Sequence, residues 1–184
     1  QVGLTAVEMF QAAADGEIKA LWIACTNPAQ SLPDQKLVRE ALQKAELVVL
    51  QEAYATTATA AYADVLLPAT SWGEKEGTVT NSERRISRVR AAVPPPGEAQ
   101  SDGWIVSQIA RRLEALLYPG AASLFADTDV ASVFDEHSAL TSGRDLDISG
   151  LSHAMLDKAG PQQWPLPAGM VQGQARRYVD GVFA

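Results

Sequence analysis

Hydrophobic positions in the first third of the chain switch between two periods. In TAVEMFQAAADGEI (5–18), Val7, Phe10 and Ala14 share a helical face. Thr5 is placed to cap that helix, Glu8 stands three residues on as in a capping box, and Gly16 ends it. KALWIAC (19–25) then runs apolar without a break, the pattern of a short strand. After the turn TNPAQSLPD, the stretch QKLVREALQKA puts Leu37, Val38, Ala41, Leu42 and Ala45 at helical spacing, with Asp34 as its cap. ELVVLQ (46–51) and DVLLPA (64–69) are further apolar strands, separated by the helix-compatible TTATAAYA. Strands alternating with helices predict a parallel sheet with right-handed crossovers. Their unbroken apolarity predicts strands covered on both faces.

The clearest helix comes later. SDGWIVSQIARRLEALL (101–117) sets Trp104, Ile105, Ile109, Leu113, Leu116 and Leu117 on one broad stripe, with Ser101 or Asp102 positioned to cap it. The preceding VPPPGEA is a stiff extended spacer, because proline fixes φ and disfavours helix in its predecessor. Beyond Pro119 the periodicity weakens: DTDVASVFDEHSAL reads as a short helix and GPQQWPLPAG as irregular. No internal repeat or low-complexity tract interrupts the chain. The expected architecture is α/β: a Rossmann-like, three-layer domain with a mostly parallel sheet over 1–118, then a less regular extension over 119–184.

Composition narrows the function. With 184 residues, 47% hydrophobic and 20% charged, the chain has the make-up of a soluble globular domain with an appended segment. A net charge of −7 argues against nucleic acid or an anionic membrane as partner. No apolar run approaches the ~20 residues that span a bilayer. The first residues lack the basic and apolar regions of a signal peptide. The sequence starts without Met and directly in an amphipathic pattern, so it is expected to be an internal piece of something longer. Charge is unevenly spread: Lys75, Arg84, Arg85, Arg88 and Arg90 face only Glu76 and Glu83 over the same stretch. Such a basic island suits a small anion, and it equally suits a solvated loop with scattered salt bridges. The single cysteine, Cys25, excludes an internal disulfide and is expected to be a small buried hydrophobe. His137 and His153 lie far from it, so neither a metal site nor a Cys–His pair is indicated.

Open parallel α/β sheets bind ligands beyond the carboxyl ends of their strands. Three such ends carry polar clusters here: Thr26, Asn27, Gln30 and Ser31 after the first strand; Gln51, Glu52, Thr56 and Thr57 after the second; Ser71, Trp72, Lys75, Thr78, Thr80 and Asn81 after the third. Asn27 precedes a proline, so its backbone is extended while its amide can donate and accept. Glu52 accepts only, which suits ribose hydroxyls or the N–H edge of guanine. Lys75 can neutralise a phosphate as a point charge. Each also has a plain structural use: an Asx turn at Asn27, a helix-dipole partner at Glu52, an ion pair at Lys75. No G-x-G-x-x-G, P-loop, G-x-S-x-G, C-x-x-C or H-E-x-x-H motif is present. The chain reads as built to hold something.

The motif A-D-V-L-L-P-x-x-x-W-x-E-K-E-G-T-V-T-N-x-E-R-R (63–85), followed by P-G-E-A and S-D-x-W, resembles the molybdopterin-guanine-dinucleotide (MGD) oxidoreductases of the dimethyl-sulfoxide-reductase superfamily. Within it the likeness is nearest to assimilatory nitrate reductase catalytic subunits, with formate dehydrogenases and periplasmic nitrate reductases as alternatives; a non-catalytic nucleotide-binding or docking module is the rival of another class. The resemblance covers roughly residues 15–118 and implies cofactor contacts at Asn27, Gln51, Glu52, Lys75 and Asp102. Thr80, Asn81, Glu83 and Arg84 match the motif as supporting residues. Where many relatives have Asp, Glu52 keeps the carboxylate and changes its reach. The T-V-T-N-S-E-R-R turn is expected to fold back over the dinucleotide. The resemblance further implies a parent enzyme with bis-MGD and molybdenum, reducing nitrate to nitrite in the cytoplasm. Its iron–sulfur cluster would be bound outside this chain, its metal ligand would lie upstream, and GQARRYVDGVFA would approach a following domain. The implied partners are the remaining domains of that enzyme and an electron donor, and the chain alone should be inactive.

Overall fold

A computed structural model of the chain describes residues 3–125, 129–174, 176 and 181. In chain order the elements begin α1 (Ala6–Asp15), β1 (Ala20–Ala24), α2 (Pro28–Ser31), α3 (Gln35–Lys44), β2 (Leu47–Glu52) and β3 (Val65–Pro68). They continue β4 (Gly77–Thr80), β5 (Arg85–Val89), α4 (Asp102–Leu117), α5 (Val130–Leu140), α6 (His153–Ala159) and β6 (Gln162–Gln163). The chain divides into two compact units: residues up to Ser71 with Pro95–Ile105, and Trp72–Pro94 with the residues from Val106 on.

The first unit holds a parallel sheet in the order β1-β2-β3. Its register runs from Ala20↔Leu47 to Ala24↔Gln51 and from Val49↔Val65 to Glu52↔Pro68, so β2 is central. Local chemistry sets the helix ends as the sequence suggests. The Thr5 hydroxyl accepts the Glu8 N–H, and the Glu8 carboxylate accepts the Thr5 N–H at 2.7 Å. Hydrogen bonds from the Thr5 backbone and hydroxyl hold the Glu8 carboxyl below the usual carboxylate range. Gly16 closes α1 at φ 84°, a left-handed conformation that glycine adopts without steric cost. Asp34 caps α3 by accepting the Leu37 N–H at 3.1 Å. TTATAAYA forms a 3-10 helix, Ala58–Tyr62, between β2 and β3.

Phe10, Ala13 and Ala14 of α1, Val38, Ala41 and Leu42 of α3, and Ile23, Val48 and Leu50 of the sheet make one core. These strand residues share a face, because strand side chains alternate. The expectation of cover on both faces fails on the opposite side, where Trp22 of β1 is 42% exposed and Leu47 and Val65 are open as well. Within this unit α1 and α3 pack together and on one side only, so apolar residues persist on a face that its described residues leave uncovered.

In the second unit β4 and β5 form an antiparallel hairpin, Gly77↔Val89 to Thr80↔Ile86, and β6 adds to β5 through Arg85↔Gln163 and Ile86↔Gln162. The T-V-T-N-S-E-R-R stretch is this hairpin. Asn81 Oδ1 accepts the Arg85 N–H at 3.0 Å, Arg84 turns the chain at φ 65°, and its guanidinium lies 4.9 Å from the Trp164 ring centroid. Two buried glutamines of β6 therefore sit inside the segment expected to be irregular, because their strand partner lies far away in sequence. Ile86, Phe134, Ile148, Leu151, Leu156 and Leu166 form the core.

Much of the basic island is consumed here. Arg88, its side chain only 9% exposed, pairs with Asp157 at 3.2 Å and Glu76 at 3.5 Å and donates to the Gly77 carbonyl at 3.0 Å. Arg90 also binds Asp157, and Arg85 lies 3.6 Å from Glu83. Burial tends to raise the Asp157 carboxyl, but hydrogen bonds from Arg88 and Arg90 bring it below its usual range. His153 stacks on Phe134 with centroids 5.2 Å apart; burial and the Arg88 charge lower its pKa, against the acids Asp135, Asp157 and Asp129.

α4 starts in the first unit and continues in the second. Of its expected stripe only Ile105 is buried; Trp104, Leu113, Leu116 and Leu117 are exposed, Leu116 by 77%. Among the described residues no helix is long and apolar enough to cross a membrane, and no cluster of His, Cys, Asp and Glu could hold a metal ion. Most of GQARRYVDGVFA lies outside the described residues.

Candidate ligand site at the strand ends

Four of the five expected contact residues lie at the carboxyl edge of the first unit's sheet or opposite it. Gln51 ends the buried part of β2 and is 1% exposed. Its Nε2 donates to Asp102 Oδ1 at 2.7 Å, across 51 residues of sequence. Asp102 is the first helical residue of α4, while Ser101 Oγ accepts the Trp104 N–H at 3.4 Å as the cap. That leaves Gln51 Oε1 buried and without a hydrogen-bond partner among the described residues. A buried acceptor left unpaired costs about 1–3 kcal/mol, so its retention calls for a reason.

Cys25 departs from expectation. It is exposed rather than buried, takes a left-handed φ of 58° at the end of β1, and its Sγ lies 3.4 Å from Asp102 Oδ1. The apolar run ends one residue earlier, at Ala24, and the chain turns sharply at Cys25 towards Asn27.

Asn27 carries Oδ1 towards Thr59, accepting its N–H at 3.0 Å and its hydroxyl at 2.7 Å, and Nδ2 donates to Gln30 Oε1 at 2.9 Å. The side chain makes no capping bond to α2. Glu52 Oε1 accepts the N–H groups of Ala53 at 2.7 Å and Tyr54 at 3.3 Å. One carboxylate oxygen thus orders the turn after β2, a structural use other than the helix-dipole partner expected of this residue, and Oε2 has no hydrogen-bond partner among the described residues. Lys75 belongs to the second unit, where its Nζ lies 5.6 Å from the centroid of the Trp72 ring.

The arrangement is therefore acceptor-rich at the end of β2, with a donor at the end of β1. Thr59, fully buried and central to the Asn27 contacts, was not among the sequence candidates. It sits 32 residues from Asn27 in an alanine-rich stretch with no local signal.

The family model Molybdopterin: Molybdopterin oxidoreductase matches residues 1–112. A nitrate reductase of Klebsiella oxytoca is 48% identical over 172 residues, covering 89% of this chain and 19% of that protein. A nitrate reductase of Synechocystis is 45% identical over 163 residues, covering 89% of this chain and 22% of its own length. The chain thus spans about a fifth of the length of these curated relatives. Among solved structures, acetylene hydratase from Pelobacter acetylenicus superposes with a TM-score of 0.54 at 26% identity, covering 58% of this chain and 15% of that one.

Proposed function

The chain belongs to the molybdopterin oxidoreductase family, and from that membership we propose that its first unit is a Rossmann-like domain gripping the guanine-dinucleotide end of a molybdopterin cofactor in a nitrate reductase. The observation that carries this reading is Gln51 Oε1, a buried acceptor with no hydrogen-bond partner among the described residues, on a side chain whose Nε2 is held by the Asp102 carboxylate. A guanine edge offers N–H donors and wants acceptors, so the residues present fit the group. Gln51, Glu52 and Asp102 would hold the base and ribose, and Asn27 a sugar or phosphate oxygen. When bound, the cofactor supplies the two-electron chemistry that reduces nitrate to nitrite. The residues of this chain bind and orient. Asp102 and Gln51 hold each other in one geometry.

Nitrate as substrate rests on the relatives alone, and a structural neighbour that is a hydratase illustrates that fold does not select the reaction. The proposed partners are the other segments of a larger cytoplasmic enzyme, which would bind the iron–sulfur cluster and receive electrons from a donor protein. The exposed apolar side chains along α4 and on the open sheet face are surface that such segments would cover.

The test is a titration of the 184-residue chain with GDP, followed by amide NMR, with ADP as control. Guanine-selective shifts at Asn27, Gln51, Glu52 and Asp102 are expected. Equal shifts with ADP, or none at millimolar GDP, would overturn the assignment.

A further inference from the structure

A primary amide presents an acceptor on one side and two donors on the other, and which way it faces is set by its neighbours. At Asn27 the neighbour is Thr59. The backbone N–H of Thr59 can only donate, and it reaches Asn27 Oδ1 at 3.0 Å. The Thr59 hydroxyl lies 2.7 Å from the same oxygen and already accepts the Ala29 N–H at 3.1 Å, so its own proton points to Asn27. Turning the amide over would set N–H2 against the Thr59 N–H. Thr59 is fully buried, so water does not compete for these bonds. On the far side of the amide, Nδ2 donates one proton to Gln30 Oε1 at 2.9 Å and has no further partner among the described residues.

We propose that Thr59 is a positioning residue of the strand-end site: it locks Asn27 with its oxygen inward, so that the site offers an N–H donor and selects an acceptor oxygen, ribose or phosphate, of the bound nucleotide. The proposal rests on the nucleotide reading above and extends it. Thr59 touches no ligand in this scheme; it acts through Asn27. The ends of β1 and β2 are thereby given opposite polarity, a donor at Asn27 and an unpaired buried acceptor at Gln51 Oε1. A nucleoside phosphate has the matching pair: donor groups on its base and acceptor oxygens on its sugar and phosphate.

Three substitutions in the 184-residue chain test it. Thr59→Val removes the hydroxyl and keeps shape and backbone; Thr59→Ser keeps the hydroxyl; Asn27→Asp keeps the oxygen facing Thr59 and replaces the outward donor by an acceptor. The readouts are GDP and guanosine affinity by NMR titration and, without ligand, the order parameter of the Asn27 side-chain N–H2 group. Thr59→Val should weaken GDP binding about five- to tenfold, the usual weight of one hydrogen bond, and lower that order parameter. Thr59→Ser should restore both to within about twofold, and Asn27→Asp should lose at least about tenfold in affinity. A Thr59→Val penalty shared by guanosine identifies a ribose oxygen as the acceptor; one confined to GDP identifies phosphate. Unchanged GDP affinity in Thr59→Val overturns the positioning role while the nucleotide reading stands. Full affinity in Asn27→Asp overturns the donor polarity. Absence of GDP shifts in the parent chain overturns the nucleotide reading and the ligand half of the proposal together. The order parameter then judges the remaining half: a fall in Thr59→Val sustains the locking of Asn27, and no change overturns it.

Discussion

Replacing Gln51 by Met separates a residue kept for binding from one kept for stability. The side chain is 1% exposed and has one satisfied end and one unsatisfied end. Its Nε2 bond to the Asp102 carboxylate, at 2.7 Å, is charge-assisted and worth about 1.5–3 kcal/mol. Its unpartnered Oε1 costs about 1–3 kcal/mol of uncompensated desolvation. Methionine is close in volume, flexible enough to fill the same space, and carries neither group. The two terms oppose each other, so Gln51→Met should change the stability of the first unit by less than about 1 kcal/mol. A glutamine with both ends paired would lose roughly 2–3 kcal/mol in the same exchange. Asp102 is only partly buried and can hydrate once its partner is gone.

The assay is urea unfolding read at the amides of Val48 and Leu50, which belong to the same strand as Gln51. A whole-chain signal would not serve, because a chain of two compact units need not unfold in one step. Parent and variant should share a midpoint, and GDP-induced shifts should vanish from the variant. A loss above about 2 kcal/mol would show that Oε1 already has a partner, and the case for Gln51 as a ligand acceptor would fail.

Thr5→Ala removes the hydroxyl half of the capping box of α1 and should cost the first unit about 1 kcal/mol, with the Glu8 carboxyl rising only part of the way towards its ordinary range because the backbone N–H of residue 5 still donates to it; an unchanged urea midpoint would refute this. Arg88→Met breaks a buried guanidinium's pairs with Asp157 and Glu76, but both acids are about half exposed and stay hydrated, so the second unit should lose about 1–3 kcal/mol rather than the full cost of an orphaned buried charge. His153 gives a pH dependence. Its pKa is lowered from about 6.5 by burial and Arg88, so below that pH the unfolded chain takes up a proton that the folded one refuses. Stability of the second unit should therefore be level above neutral pH and fall as pH drops below about 6.5; His153→Phe should flatten that slope, and a slope of the same size in the variant would assign it elsewhere.

The elements of the first unit were legible because each is announced locally. Thr5, Glu8 and Gly16 frame α1 within a dozen residues, and Asp34 starts α3. The apolar runs gave the strands and their parallel sense, since helical sequence separates each from the next. What failed depended on distance or on what covers a surface. Unbroken apolarity in ALWIA predicted cover on both faces, yet Trp22 is half open, because composition records the need for burial and not which residues supply it. The same holds for Leu113 and Leu116 of α4. Cys25 looked buried because it follows five apolar neighbours, but its left-handed φ takes it out of the strand. Pairing of Arg85 with Gln163 closes a loop too long for any local motif to encode.

The candidate site divides along the same line. Asn27, Gln51, Glu52 and Asp102 were found from strand ends and a family motif; Thr59 was found only from three hydrogen bonds that converge on and from its side of Asn27. The difference has a physical basis. A residue that touches a ligand is chosen for a polarity readable from its type, whereas a residue that orients it is chosen for its place in a network, and threonine serves many networks. The energetics point the same way. A core that only had to be stable would gain by replacing Gln51 with an apolar side chain, since half of that residue's hydrogen-bonding capacity goes unused in burial. Keeping an unsatisfied acceptor at the end of a central strand, braced by a carboxylate from a distant helix and set against a donor of fixed orientation, makes sense when a third body completes the bonds.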